Sequence, residues 1–176
     1  EDYRMRHGLY RTDPDLQAAH AAHPWITVWD DHEMMNDTWR AGAENHDEGE
    51  GDFFQRIHAA RQAYHEWMPI RTVAEGDQGV IYRAFQIGDL ADLMMLDTRL
   101  VGRDEQLDYA KGIERAGSVE AFIKSDLYNP ERQILGEEQE AWLQQALQRS
   151  KARGATWQVL GQQVLMGKLN IPVIPP

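Results

Sequence analysis

The sequence predicts an α/β fold in which strands alternate with helices in layers. Three observations predict it. Short runs rich in β-branched, aromatic and aliphatic residues recur along the chain: residues 25–29, VIYRAFQI, ADLMMLD and WQVLGQQVLM. Between them lie segments with helix-type apolar spacing and capping residues. Apolar residues make up 42% of the 176, enough for a sizeable core.

Each element has its own warrant. Thr12-Asp13-Pro14 opens a helix, with Thr12 or Asp13 as N-cap and proline at the first helical position, where its missing N–H is harmless. DLQAAHAAH continues that helix as far as Pro24. Residues 25–29 form a short β-rich run. Residues 30–52 are crowded with acids, carry Arg40 as their base, and suit a solvated loop. In FFQRIHAARQAYHEWM, residues Phe53, Ile57, Ala60, Tyr64 and Trp67 share one apolar helical face, and Pro69 ends the helix. VIYRAFQI and ADLMMLD flank Gly88-Asp89 and read as a tight hairpin, with Met94 and Met95 in the core. Residues 103–129 are polar and irregular, with one short helix at 119–123. GEEQEAWLQQALQRSKARG is a helix with acids in its first turn, bases in its last and Gly154 at its stop; Trp142 and Leu143 anchor it to the core. WQVLGQQVLM returns to strand, and NIPVIPP is an extended tail.

Bulk properties narrow the function. With 29 Asp and Glu against 18 Lys and Arg, the net charge is -11, which argues against a protein that tracks nucleic-acid phosphates. Small phosphorylated substrates stay open, because a bound metal inverts the local field. There are no cysteines, so any metal is held by oxygen and imidazole. No run is long enough to span a bilayer, and EDYRMRHGLY is not a signal peptide. Glu1 is an unusual native start, which points to a piece of a larger domain.

The densest chemistry lies in ITVWDDHEMMNDTW, where an apolar run meets Asp30, Asp31, His32 and Glu33, with Asn36 close behind. Layered α/β folds gather ligands where strands end. Hard cations take carboxylate and amide oxygens, and imidazole serves as ligand or proton donor. The same residues also fit a capping box of Asp30 with Glu33, and residue types alone leave the two readings level. GAENHDEGEGD lacks the EF-hand pattern and reads as a mobile loop. His20, His23, His46, His58 and His65 are more simply surface or capping residues. Asp97 and Arg99 either face the same rim as Asp31 or form a structural ion pair. Arg71 and Arg83 carry the charge to meet phosphate, with nothing to single them out. Nucleophile elbow, P-loop and dinucleotide fingerprint are all missing.

YRMRHGLYRTDPDLQAAHAAHPWITVWDDHEMMND, then AYHEWMPIR, LMMLDTRLVGRDEQ and LGEEQEAWLQQALQRSKARGATWQVLGQQVLM, resemble in order the PhoD-like alkaline phosphatases, a branch of the calcineurin-like metallophosphoesterases. The resemblance implies a layered α/β sandwich with a dinuclear or multinuclear metal site at its strand ends, described with iron and calcium. It implies hydrolysis of small phosphomonoesters, often also phosphodiesters, and export by the twin-arginine route. By position Asp31 would be a metal ligand and His32 the histidine that contacts phosphate and protonates the leaving group. Asn36, or else Asp30, would add a ligand or supporting contact, and Asp30 or Glu33 would hold the imidazole. The family's earlier Gly-Asp motif, its frequent cysteine ligand and its later Gly-Asp-x-His motif do not occur here: Gly51-Asp52, Gly76-Asp77 and Gly88-Asp89 are not placed as those motifs would be. Residues 1–176 are thus expected to be the central part of one catalytic domain, truncated at both ends and inactive alone. The alternative is a non-catalytic binding or regulatory module on the same fold, or a plain structural domain.

Overall fold

Asp13 accepts the Leu16 amide at 2.8 Å and starts helix α2 (Pro14–Ala22), which stops at extended His23 before Pro24. This is a computed structural model, and it describes residues 1–68, 70, 71 and 78–167. Pro69, Gly76-Asp77 and the NIPVIPP tail lie outside the described residues. Helix α1 (Asp2–Tyr10), not foreseen from sequence, precedes α2. It buries none of its own residues and is tied down by side chains, among them Arg4 to Glu66 at 2.5 Å.

Asp52 caps α3 (Phe53–Trp67) by accepting the Gln55 amide at 2.8 Å. Phe53, Ile57, Ala60 and Tyr64 are buried on the expected face, joined by Ala63. Gly88, at φ 51, turns the hairpin between β1 (Arg83–Ile87) and β2 (Ala91–Met95), a conformation glycine adopts without penalty. Next come α4 (Tyr109–Ala116), α5 (Val119–Phe122), a π-helical turn (Ile123–Leu127), α6 (Glu137–Arg153) and β3 (Trp157–Gly161). Among the described residues the sheet order is β1-β2-β3, the first pair antiparallel and the second parallel. Helices thus sit on both sides of the strands in sequence, and the fold is mixed α/β. Arg153, in the last turn of α6, pairs with Asp92 at 2.9 Å and donates to the Gly88 carbonyl at 3.0 Å, fastening helix to hairpin.

Several expectations shift. Trp142 and Leu143 are only half-buried, and Gln139, Ala146 and Ser150 are the buried residues of α6. Residues 103–129 hold α4 in addition to the short helix. Residues 25–29 are extended but not a strand, since a strand needs a partner and none lies beside them among the described residues. The Thr27 carbonyl instead accepts the Arg83 guanidinium at 2.5 Å. β3 ends at Gly161, five residues before Met166, because Gln163 takes over the pairing by side chain. Its Oε1 accepts the Thr98 amide at 3.1 Å, and its Nε2 donates to the Leu96 carbonyl at 2.7 Å.

An apolar core cluster joins Trp29, Met34, Met35, Phe53, Ile57 and Tyr64, and Trp29, Met34 and Met35 flank or lie within the acidic turn. Trp29 has no exposed surface, and its indole stands edge-on to Tyr64 with centroids 5.6 Å apart. No helix among the described residues is long and apolar enough to cross a membrane.

Candidate active site

The acidic residues 30–37 are built as turns, not as a helix start. Half of the capping box is present: Glu33 Oε2 accepts the Asp30 amide at 2.7 Å. The Asp30 carboxylate does not reciprocate, because Arg99 Nε holds it at 2.6 Å. The chain therefore folds back at once, with the Met34 amide donating to the Asp31 carbonyl at 2.8 Å. Met34 and Met35 drop into the core, each 3% exposed. Asp37 completes the turn at φ 48, a left-handed conformation that Asp tolerates better than most residues.

This turn sends neighbours in opposite directions. The Asp31 side chain is 10% exposed, whereas His32 beside it is 77% exposed. One Asp31 oxygen accepts the His32 amide at 3.0 Å and the other accepts the Asp37 amide at 2.8 Å. The His32 ring is held by Asn36, whose Oδ1 lies 2.8 Å from Nε2. Asn36 is itself oriented by its Nδ2 donating to Glu44, so Oδ1 is left to accept and Nε2 carries the proton. The Nδ1 nitrogen has no hydrogen-bond partner among the described residues. The Asn36 hydrogen bond, and then the Asp31 charge, raise the His32 pKa above the ordinary histidine value.

Arg99 organises the base of the turn. Its side chain is 9% exposed and meets Asp30 at 2.6 Å, Asp31 at 3.6 Å and Asp37 at 3.5 Å. Of the two readings of Asp97 and Arg99, the rim position holds for Arg99. Asp97 is fully buried and accepts the Arg99 and Leu100 amides and the Trp29 indole N–H, at 2.8, 2.8 and 3.0 Å. Burial pushes the Asp97 carboxyl above the usual carboxylate range against those donors. Behind it Gln139, also without exposed surface, accepts the Asp97 amide and donates to the Asp97 carbonyl, each at 2.8 Å.

His32 lies on the wall of two open clefts. One, of about 470 Å³, brings Arg6, Arg11, His20 and Trp25 toward it; the other, of about 690 Å³, is lined by Arg6, Tyr3 and Arg56. Glu1, Asp2 and Glu50 also line the second cleft, and Glu50 pairs with Arg56 at 3.1 Å, so the cations that face an anionic ester are those of the first cleft, Arg6 and Arg11. The other histidines have plainer places: His20 stacks on Trp25 at 4.2 Å, and His46 lies 3.2 Å from Arg56.

Asp31, Asn36 and His32 are thus brought together, while Asp30 is turned to Arg99 and Glu33 to the Asp30 backbone. As a metal centre the set does not close. Among the described residues no group of three or more His, Cys, Asp or Glu is arranged to hold an ion. Both Asp31 oxygens are occupied by N–H donors. The role of Glu44 escapes sequence reasoning, because it reaches Asn36 from an irregular segment. The rim position of Arg99 is one of the two sequence readings, but its three carboxylate partners are not readable from the chain.

A family model described as PhoD-like phosphatase matches residues 1–174. The chain is 41% identical over 172 residues to alkaline phosphatase D of Bacillus subtilis (strain 168), a match covering 97% of this chain and 27% of that protein. A solved structure described as "Structure of PhoD" matches with a TM-score of 0.75 and 36% identity, covering 96% of this chain and 30% of that one. The chain therefore spans under a third of the length of these relatives.

Proposed function

The chain belongs to the PhoD-like phosphatase family, and from that premise we propose that it is the central part of the catalytic domain of a phosphoric ester hydrolase, with His32 as proton donor to the leaving group. The observation that carries this reading is the exposed imidazole, pinned through one nitrogen by Asn36 and open at the other. When the phosphorus–oxygen bond breaks, the leaving oxygen gains negative charge. A positioned imidazolium offers Nδ1–H to that oxygen while Nε2–H stays on Asn36. General acid help of this kind contributes about 10²–10⁴-fold. Asn36 and Asp31 favour the charged ring, so the donor stays protonated to higher pH than a free histidine. Arg6, at the wall of both clefts, is placed to attract the anionic ester.

The reading extends to small phosphomonoesters and phosphodiesters as substrates, to metal dependence with iron and calcium, and to an exported protein. Family membership and the chemistry of Asp30, Asp31 and Asn36 support the phosphate ester and the metal dependence; iron, calcium, phosphodiesters and export rest on the resemblance alone. Bound metals polarise phosphoryl oxygens and lower the pKa of water. Because the described residues do not close around an ion, ligands from outside them are required, and Asp31 would exchange an amide contact for a metal bond.

The test is His32→Ala in the full-length protein, assayed on an alkyl phosphate and on p-nitrophenyl phosphate. A lost general acid slows the alkyl ester, whose alkoxide leaves poorly, by about 10²-fold or more, and slows the nitrophenyl ester far less. Equal losses on both esters, or none, would remove His32 from this role.

A further inference from the structure

A separate cleft of about 460 Å³ adjoins the acidic turn through residues 103–106 and is lined by Arg103, Asp104, Gln106, Asn129, Arg132 and Gln133 among others. The Arg103 carbonyl accepts the Arg40 amide at 3.1 Å, and Gln106 Nε2 donates to the Asp37 carbonyl at 2.8 Å, so the cleft is fixed to the turn. Its charge is unbalanced. Asp104 lines the cleft, but its carboxylate is already engaged by Arg40 at 2.6 Å and by the Gln133 amide at 2.9 Å. Arg103 and Arg132 are both partly buried, and among the described residues neither has a carboxylate within 4.0 Å. Arg132 donates to the Glu105 carbonyl, a neutral acceptor. Arg103 Nε is shut off from solvent with no hydrogen-bond partner among the described residues.

A guanidinium cannot shed its charge in a protein, so partial burial beside another cation leaves an electrostatic deficit. Burial, and then the neighbouring Arg99, lower the Arg103 pKa, and the more distant Asp37 and Asp31 offset this only in part. Two guanidiniums in the lining of one cleft match the oxygens of a phosphate group, with the side-chain amides of Asn129 and Gln133 beside them and apolar side chains such as Leu107 and Ile134 completing the wall. We propose that this cleft is an anion subsite that binds a phosphate group between the Arg103 and Arg132 guanidiniums. The phosphate proposed here is a different one from the ester phosphate at His32, so its binding is read without turnover.

The experiment is calorimetric titration of inorganic phosphate into the chelator-treated full-length protein at low salt. One phosphate is expected to bind, with affinity reduced at least tenfold by Arg103→Gln and by Arg132→Gln and largely restored by Arg132→Lys. Arg4→Gln, which breaks only a surface pair with Glu66, and His32→Ala are expected to leave it unchanged. Absence of binding, retention of full affinity in both glutamine variants, or loss in His32→Ala would overturn the subsite. Thermal melts accompany each variant. Should Arg103→Gln unfold, Arg132→Gln decides the matter by itself, since among the described residues its side chain makes one backbone contact only. Failure of the His32 assay alone leaves this result standing.

Discussion

Replacing Arg99 with leucine removes the cation shared by Asp30, Asp31 and Asp37. Losing one partner of a buried ion pair costs about 3–5 kcal/mol. Two features reduce that here. Asp30 is 44% exposed and Asp37 51% exposed, so both regain water when the guanidinium goes. Asp31 stays buried but keeps its two amide donors. We expect a net loss of about 2–3 kcal/mol, read as a lower urea midpoint with unchanged slope for the full-length protein. Arg99→Lys should fall between, because an ammonium is a point donor and cannot span three carboxylates. A double-mutant cycle with Asp30→Asn isolates the shortest contact, with a coupling of about 1 kcal/mol or more. A loss below about 0.5 kcal/mol for Arg99→Leu, or zero coupling with Asp30, would show that the turn does not depend on this guanidinium.

Other outcomes follow from individual contacts. Gln139→Leu strands the Asp97 amide and carbonyl without partners, so denaturation should show a loss of about 2–4 kcal/mol. Gly102→Ala places a methyl against the Gly136 backbone, and the melting temperature should fall by several degrees, about what 1–3 kcal/mol of overpacking gives. Burial raises the Asp97 carboxyl above its unfolded value, so its stabilising contribution is present below the unfolded value and is lost as pH rises through the folded one. Urea midpoints above the ordinary Asp value of about pH 4 should therefore fall with rising pH more steeply in the wild type than in Asp97→Asn. Parallel curves would mean that Asp97 stays ionised throughout. Residues 1–176 alone should not hydrolyse p-nitrophenyl phosphate with added iron and calcium, and robust turnover would show that the described residues suffice.

The elements legible in the sequence are those with strong punctuation. Asp13-Pro14, Asp52, Gly88 and Gly154 mark ends that local chemistry fixes, and α2, α3, the hairpin and α6 appear accordingly. α1 escaped because it lacks such punctuation: Glu1 at its N-cap makes no side-chain capping bond and no glycine or proline marks its end. α4 escaped although Asp108 and Gly117 cap it and Tyr109, Ile113 and Ala116 recur at helical spacing; its interior Gly112, which makes room for the Phe122 ring, weakens the helical signal. Residues 25–29 have strand composition but no neighbour to pair with among the described residues, and pairing is a property of the sheet, not of the segment. At the site, the residue types in Asp-Asp-His-Glu were readable, but their fates were not. Which of two adjacent side chains points inward depends on amide bonds to Asp31, on the left-handed Asp37 and on Arg99 arriving from the end of β2.

A charge cluster at the end of the most water-averse segment is physically sensible once each charge is followed. Trp29 on one side and Met34 and Met35 on the other pull both ends of residues 30–33 into the core, so the turn between them is forced to be tight. A tight turn exposes backbone amides with no helical partner, and short acids are well suited to accept them. Asp31 and Glu33 do so, and Asp30 and Asp37 balance the buried Arg99 guanidinium. What remains outward is His32 with its Asn36 brace. The acids thus limit the motion of the backbone that carries the imidazole, and the apolar anchors below limit it again. A flexible linker with the same composition would present the same functional groups with none of that orientation. Positioning, not charge density, is what the segment supplies to a proton-transfer site.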